Sequence, residues 1–142
     1  MKKLPLFLIL LLLLLSLGFI GSVVADTYST FKDNLISKTS KNSFEGKLNI
    51  NGVDIPVFTT FYIGYGGKIF GGYIFHQDSD SYIGSLSDCR VLDMQVLNCV
   101  WIDESGDGEM KVTFSKDFDS FNGFWNDSRD SSTNYIWNGK RF

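Results

Sequence analysis

The side chains able to do chemistry are few and scattered. His76 is the single histidine, and it falls where an alternating stretch meets a polar turn. One imidazole cannot build a histidine-rich zinc site. Serines and aspartates are plentiful, but nothing around His76 resembles the strand–turn–helix setting of an activated serine nucleophile. Acidic residues gather at two places, Asp103, Glu104, Asp107 and Glu109, then Asp117 and Asp119. A hard cation needs a dense set of oxygens, and the spacing of Asp103, Asp107 and Glu109 around Gly108 misses that of a calcium loop. Paired carboxylates would serve a glycosidase only if fixed in a cleft at a set separation, whereas turn tips favour a solubilising role. The expectation is a protein with no catalytic constellation, no metal and no cofactor, and therefore not an enzyme.

Cys89 and Cys99 are the only cysteines. They flank a short stretch centred on Met94, and a hairpin there sets them opposite each other. Opposed strand residues lie about 4.5–5.5 Å apart at Cα, within disulfide reach. A redox role would need the closer Cys-x-x-Cys spacing, so the pair reads as a structural bridge.

An oxidising compartment is also what the N-terminus implies. Lys2 and Lys3 precede an apolar run from Leu4 to Ile20, followed by Gly21, Ser22, Val23, Val24 and Ala25. Residues 1–25 read as a secretory signal peptide cut after Ala25, and the alternative is an uncleaved N-terminal anchor. The expected location is secreted or extracytoplasmic. Loss of Lys2 and Lys3 takes the formal charge from −3 to −5 over residues 26–142. With basic residues dispersed among aspartates, nucleic acid is excluded as a partner. A membrane enters only through an uncleaved N-terminal segment.

Aromatic side chains carry the rest of the pattern. Of the thirteen Phe, six Tyr and three Trp, all but Phe7 and Phe19 lie past Ala25 and supply a core that is short of leucine there; each buried ring removes about 150–250 Å² from water. Residues 26–42 form a polar leader in which Tyr28, Phe31, Leu35 and Ile36 sit near helical spacing, with Asp26 or Thr27 as the cap of a short helix. From Ser43 the period becomes two. Phe44 to Ile50 meets Asn51-Gly52, a strong hairpin signal, and Val53 to Ile63 returns, with Pro56 near its start. Lys68 to Phe75, Ser81 to Leu86, Val96 to Ile102, Glu109 to Ser115, Ser120 to Trp125 and Tyr135 to Phe142 repeat the pattern. A looser loop is expected over Asn126 to Asn134, carrying the glycosylation sequon Asn126-Asp127-Ser128.

The predicted fold over 43–142 is all-β: an antiparallel meander of about eight strands without crossover helices. A closed barrel is favoured over a sandwich because closure removes exposed edges. Glycines beside aromatics recur inside the strands, as in Phe70-Gly71-Gly72-Tyr73, Tyr82-Ile83-Gly84, Phe121-Asn122-Gly123-Phe124-Trp125 and Tyr135-Ile136-Trp137-Asn138-Gly139. Glycine weakens a strand, so the repetition implies bending and room for a neighbouring ring, or the close approach of a ligand.

This order of signal peptide, polar leader and eight-strand meander resembles the calycin-like barrels, the lipocalin and avidin group. Lipocalins pack a first-strand Gly-x-Trp against a last-strand Arg. Here the first strand carries Phe44-Glu45-Gly46, and Gly123-Phe124-Trp125 is the only Gly-x-Trp. Arg141, on the last strand, is expected to stack on Trp125 or Trp137. The C-terminal run Phe114 to Asp117, Phe121 to Trp125 and Trp137 to Arg141 also looks like a pattern of uncharacterised secreted β-domains. The architecture implies a non-enzymatic binding domain for a small apolar molecule or glycan, with Tyr73, Trp125, Trp137 and Arg141 as candidate ligand contacts. The alternative is a protein-interaction module, an inhibitor or a surface or matrix component, presented to an extracellular protein by a barrel filled with its own side chains.

Overall fold

A computed structural model describes residues 24–36 and 42–142. The apolar run of the expected signal peptide lies outside the described residues, as do 37–41 of the leader. Residues 24–36 form a helix, α1. Asp26 and Thr27 lie within it rather than capping its start. Phe31 and Leu35 are fully buried, whereas Ile36 turns to solvent. Among the described residues no helix is long and apolar enough to cross a membrane.

Eight strands follow: β1 (Ser43–Ile50), β2 (Val53–Ile63), β3 (Ile69–Gln77), β4 (Asp80–Asp93), β5 (Val96–Asp103), β6 (Gly106–Phe114), β7 (Ser120–Asp127) and β8 (Asp130–Arg141). Each pairs antiparallel with the next, and β8 returns to β1 to close the barrel. Closure leaves no sheet edge to be protected. The chain order makes two unlike ends. At the turn end, tight hairpins join β1–β2, β3–β4, β5–β6 and β7–β8. Asn51 and Gly52 both take positive φ there (50° and 84°), the backbone that matches the twist of paired strands. At the other end α1 packs on the barrel opening through Phe31 and Leu35, beside the β6–β7 loop.

The expected loop over Asn126 to Asn134 is a correction. β7 runs to Asp127 and β8 begins at Asp130, because Asp127 accepts the Arg129 backbone N–H and side chain while Asp130 accepts the Ser132 and Thr133 hydroxyls. These local bonds close a tight turn. Arg129, first through its hydrogen bond, holds the half-buried Asp127 carboxyl down at about 2. Asn126 is 8% exposed, and its side chain accepts the Glu109 N–H. The sequon asparagine is thus committed to the barrel wall instead of standing on a loop.

Period two resolves which rings point in. Phe44, Phe61, Phe114 and Phe121 meet edge to face or tilted inside the barrel toward the end that α1 covers, with centroids 5.3–6.0 Å apart. Phe31 of α1 adds an edge-on contact to Phe114 at 5.6 Å. Such pairs add about 0.5–1.5 kcal/mol each beyond area burial. Cys89 and Cys99 are bonded, with Cα atoms 4.0 Å apart. The register of β4 against β5 shifts between Ser87 and Arg90, where Asp88 takes a positive φ of 48°. This bulge lets β4 run past the bridge.

Candidate functional site

Three of the four sequence-derived contact residues converge at the turn end. Tyr73 from β3, Trp125 from β7 and Trp137 from β8 face inward around a cavity of about 30 Å³, with Trp101 and Asp103 from β5. Their polar atoms are committed to the protein. The Tyr73 hydroxyl donates to Asp103 (2.7 Å), the Trp101 indole to the Asn126 carbonyl (2.8 Å), the Trp125 indole to the Asn49 carbonyl (3.0 Å) and the Trp137 indole to Thr59 (3.1 Å). Burial, then the hydrogen bond and the negative charge of Asp103, push the Tyr73 phenol well above its ordinary range. About 30 Å³ holds a water or two, far below the ~300–1,000 Å³ of a small-molecule site.

Arg141 is elsewhere, and its expected partners are corrected. Its guanidinium lies over the Phe44 ring, 4.8 Å from the centroid, at the end that α1 covers. It donates to the carbonyls of Phe118 (2.8 Å) and Leu35 (3.4 Å). Last-strand Arg141 and the indoles face inward from β7 and β8 but toward opposite ends, so no cation–π stack on Trp125 or Trp137 forms. Desolvation lowers the Arg141 pKa from its ordinary value.

The remaining chemistry-bearing residues serve local roles. His76 Nδ1 lies 2.8 Å from the Ser81 hydroxyl across the exposed β3–β4 hairpin. Asp103 accepts the Ser105 N–H (2.8 Å), Asp107 the Ser128 hydroxyl (2.8 Å) and Asp117 the Ser115 hydroxyl (2.7 Å). Among the described residues, no three His, Cys, Asp or Glu side chains are grouped to hold a metal ion.

The outer wall of β2–β4 holds a site that the residue types had not singled out. Outward side chains line up across the three strands. Phe58, Ile74 and Ile83 are in register as one apolar ridge, and Tyr62 pairs with Phe70 as another. Tyr62 and Phe70 meet edge to face at 4.4 Å. Between the ridges, Thr60, Gly72 and Ser85 are also in register and form a small polar floor. The groove encloses about 240 Å³. Phe58 is 41% and Tyr62 43% exposed. The ridges are four residues apart along β2, about 13 Å at strand rise, which leaves room for one flat ring between them.

Gly72 is the distinctive member. A Cβ built on Gly84 would lie 2.0 Å from the Tyr73 ring, and one on Gly139 would lie 2.7 Å from Phe121. Those glycines make room for rings. A Cβ on Gly72 would meet only the Gly84 carbonyl oxygen, at 3.4 Å, which is ordinary contact. The fold would accept a side chain there, and its absence keeps the groove floor open. The signal in the sequence is Phe58-Thr59-Thr60-Phe61-Tyr62, whose rings fall on both faces of a strand that needs only one apolar face.

An all-β closed barrel of eight antiparallel strands, capped by one helix, is the class of protein that this architecture defines, and it is consistent with a calycin-like arrangement. No protein family, curated protein or solved structure matches the chain.

Proposed function

We propose that this chain is a secreted, non-enzymatic binding domain whose ligand is a glycan, held in the outer groove of β2–β4. The observation that carries the reading is Gly72, a glycine that packing does not require on the floor of a ring-flanked groove. Sugar recognition combines the apolar face of a pyranose against an aromatic ring with hydroxyl hydrogen bonds. Phe58 and Tyr62 offer the rings, and Thr60 and Ser85 the hydroxyls. The packed interior, with only about 30 Å³ at the turn end, favours this outer wall over the barrel mouth for either a glycan or an apolar ligand. The Cys89–Cys99 bond supports an oxidising, extracytoplasmic setting.

The test is a glycan array read with the wild-type protein and with Gly72→Val, followed by titration calorimetry on any hit. Saturable binding that disappears in Gly72→Val without a lower melting temperature is expected. A blank array, or binding that survives Gly72→Val, overturns the reading.

A protein-interaction module is the second reading. It is favoured by Phe58, Ile83 and Phe142, all exposed, with Phe58 and Phe142 in ring contact at 5.9 Å. Contiguous apolar surface of this kind marks interfaces. A blank array together with a stoichiometric partner captured from the native secretion, and lost in Phe58→Ser, would establish it.

A further inference from the structure

We propose that the cleft between α1 and the barrel wall binds a small anionic amphiphile, a carboxylate on an apolar chain. This site adjoins the glycan groove at the Tyr62–Phe70 ridge and at Ser85, while Gly72 belongs to the groove alone. The cleft encloses about 500 Å³, within the ~300–1,000 Å³ typical of small-molecule sites. Its floor is Ile69 and Leu86, both essentially buried, and Tyr28 of α1 forms a wall. That wall is fixed, because the Tyr28 hydroxyl donates to the Gly67 carbonyl at 2.8 Å. An apolar floor with a ring at its side suits a hydrocarbon chain.

The rim determines the head group. Lys68 and Arg90 both line the cleft and are exposed. Neither is in a salt bridge among the described residues. Asp88 is the one acid among the lining residues, so the rim carries a net positive charge on a chain whose formal charge is −3. Two cations without a salt bridge among the described residues, beside an apolar floor, complement a carboxylate and leave an uncharged head group without its strongest contact.

Calorimetric titration of the protein secreted from the full-length coding sequence, with dodecanoate and with dodecanol below their aggregation concentrations, tests the assignment. Saturable one-to-one binding of dodecanoate is expected, with dodecanol at least about ten-fold weaker. Lys68→Gln with Arg90→Gln should weaken dodecanoate by about ten-fold or more. Ser87→Trp, which places a ring in the cleft from the surface of β4, should abolish binding at an unchanged melting temperature. Gly72→Val, which fills the glycan groove, should leave dodecanoate binding intact. No binding, equal binding of the alcohol, indifference to the cation substitutions, or loss in Gly72→Val would each overturn the proposal.

Discussion

The guanidinium of Arg141, at the end of the last strand β8, lies 4.8 Å from the centre of the Phe44 ring on the first strand. The contact ties the two ends of the described barrel sequence together at the opening that α1 covers. The same guanidinium donates to the Leu35 carbonyl of α1 and to the Phe118 carbonyl of the β6–β7 loop. One side chain, 8% exposed, therefore joins strand closure, loop and helix.

Arg141→Ala should therefore destabilise the protein by about 2–4 kcal/mol, combining the ring contact with charge-assisted hydrogen bonds whose carbonyl acceptors lose their donor. Lys keeps the charge but cannot reach both carbonyls in one plane, so Arg141→Lys should fall between alanine and wild type. Chemical denaturation checks the order. Equal stability of all three would remove Arg141 from this role.

Tyr73 gives the pH dependence. Its phenol is raised by burial first and by Asp103 second, so the neutral form is the one that the fold favours. A folded pKa above the unfolded value gives a contribution that is full below pH about 10 and is lost as pH rises beyond it. Ultraviolet titration of the six tyrosines should show one phenol that ionises only with unfolding. Tyr73→Phe should remove that late component and cost about 1–2 kcal/mol at neutral pH.

Most strand positions were legible because turn chemistry is local, although the strand expected over Ser81 to Leu86 runs on to Asp93 and the last begins at Asp130, before Tyr135. Asn51-Gly52 marked the first hairpin, and the Cys89–Cys99 spacing marked the hairpin centred on Met94. The helical leader followed from Tyr28, Phe31 and Leu35. Other features depend on contacts distant in sequence. Both faces of β2 carry rings, so alternation alone does not decide whether Phe61 or Tyr62 enters the core. The partner of Arg141 is set by where β8 closes on β1, Phe44 opposite Arg141, a register that spacing along the chain cannot give. The outer groove exists only when Thr60, Gly72 and Ser85 come level across three strands.

The disulfide should act on the unfolded chain more than on the barrel. Its two residues are 10 apart in sequence, and closing so short a loop is worth about 2.5–3 kcal/mol in the chain-entropy model. The double variant Cys89→Ala with Cys99→Ser should lose about that much while keeping the strand signature in far-ultraviolet circular dichroism. Loss of the fold itself would mean that the bridge sets the β4 bulge and does more than limit the unfolded ensemble.

Gly72 and Gly84 form an internal control, since the two occupy neighbouring strands one register step apart but face opposite sides of the wall. Gly84→Ala puts a methyl 2.0 Å from the Tyr73 ring, which must move away from Asp103, so a loss of about 2–4 kcal/mol is expected from overpacking and the broken hydrogen bond. Gly72→Ala adds a methyl in ordinary contact with the Gly84 carbonyl and limits the freedom of the unfolded chain, so it should be neutral or stabilise by up to about 1 kcal/mol. Thermal melts of the two single variants measure the contrast. A destabilised Gly72→Ala would return this glycine to the packing role of its neighbours and remove the observation on which the glycan groove rests.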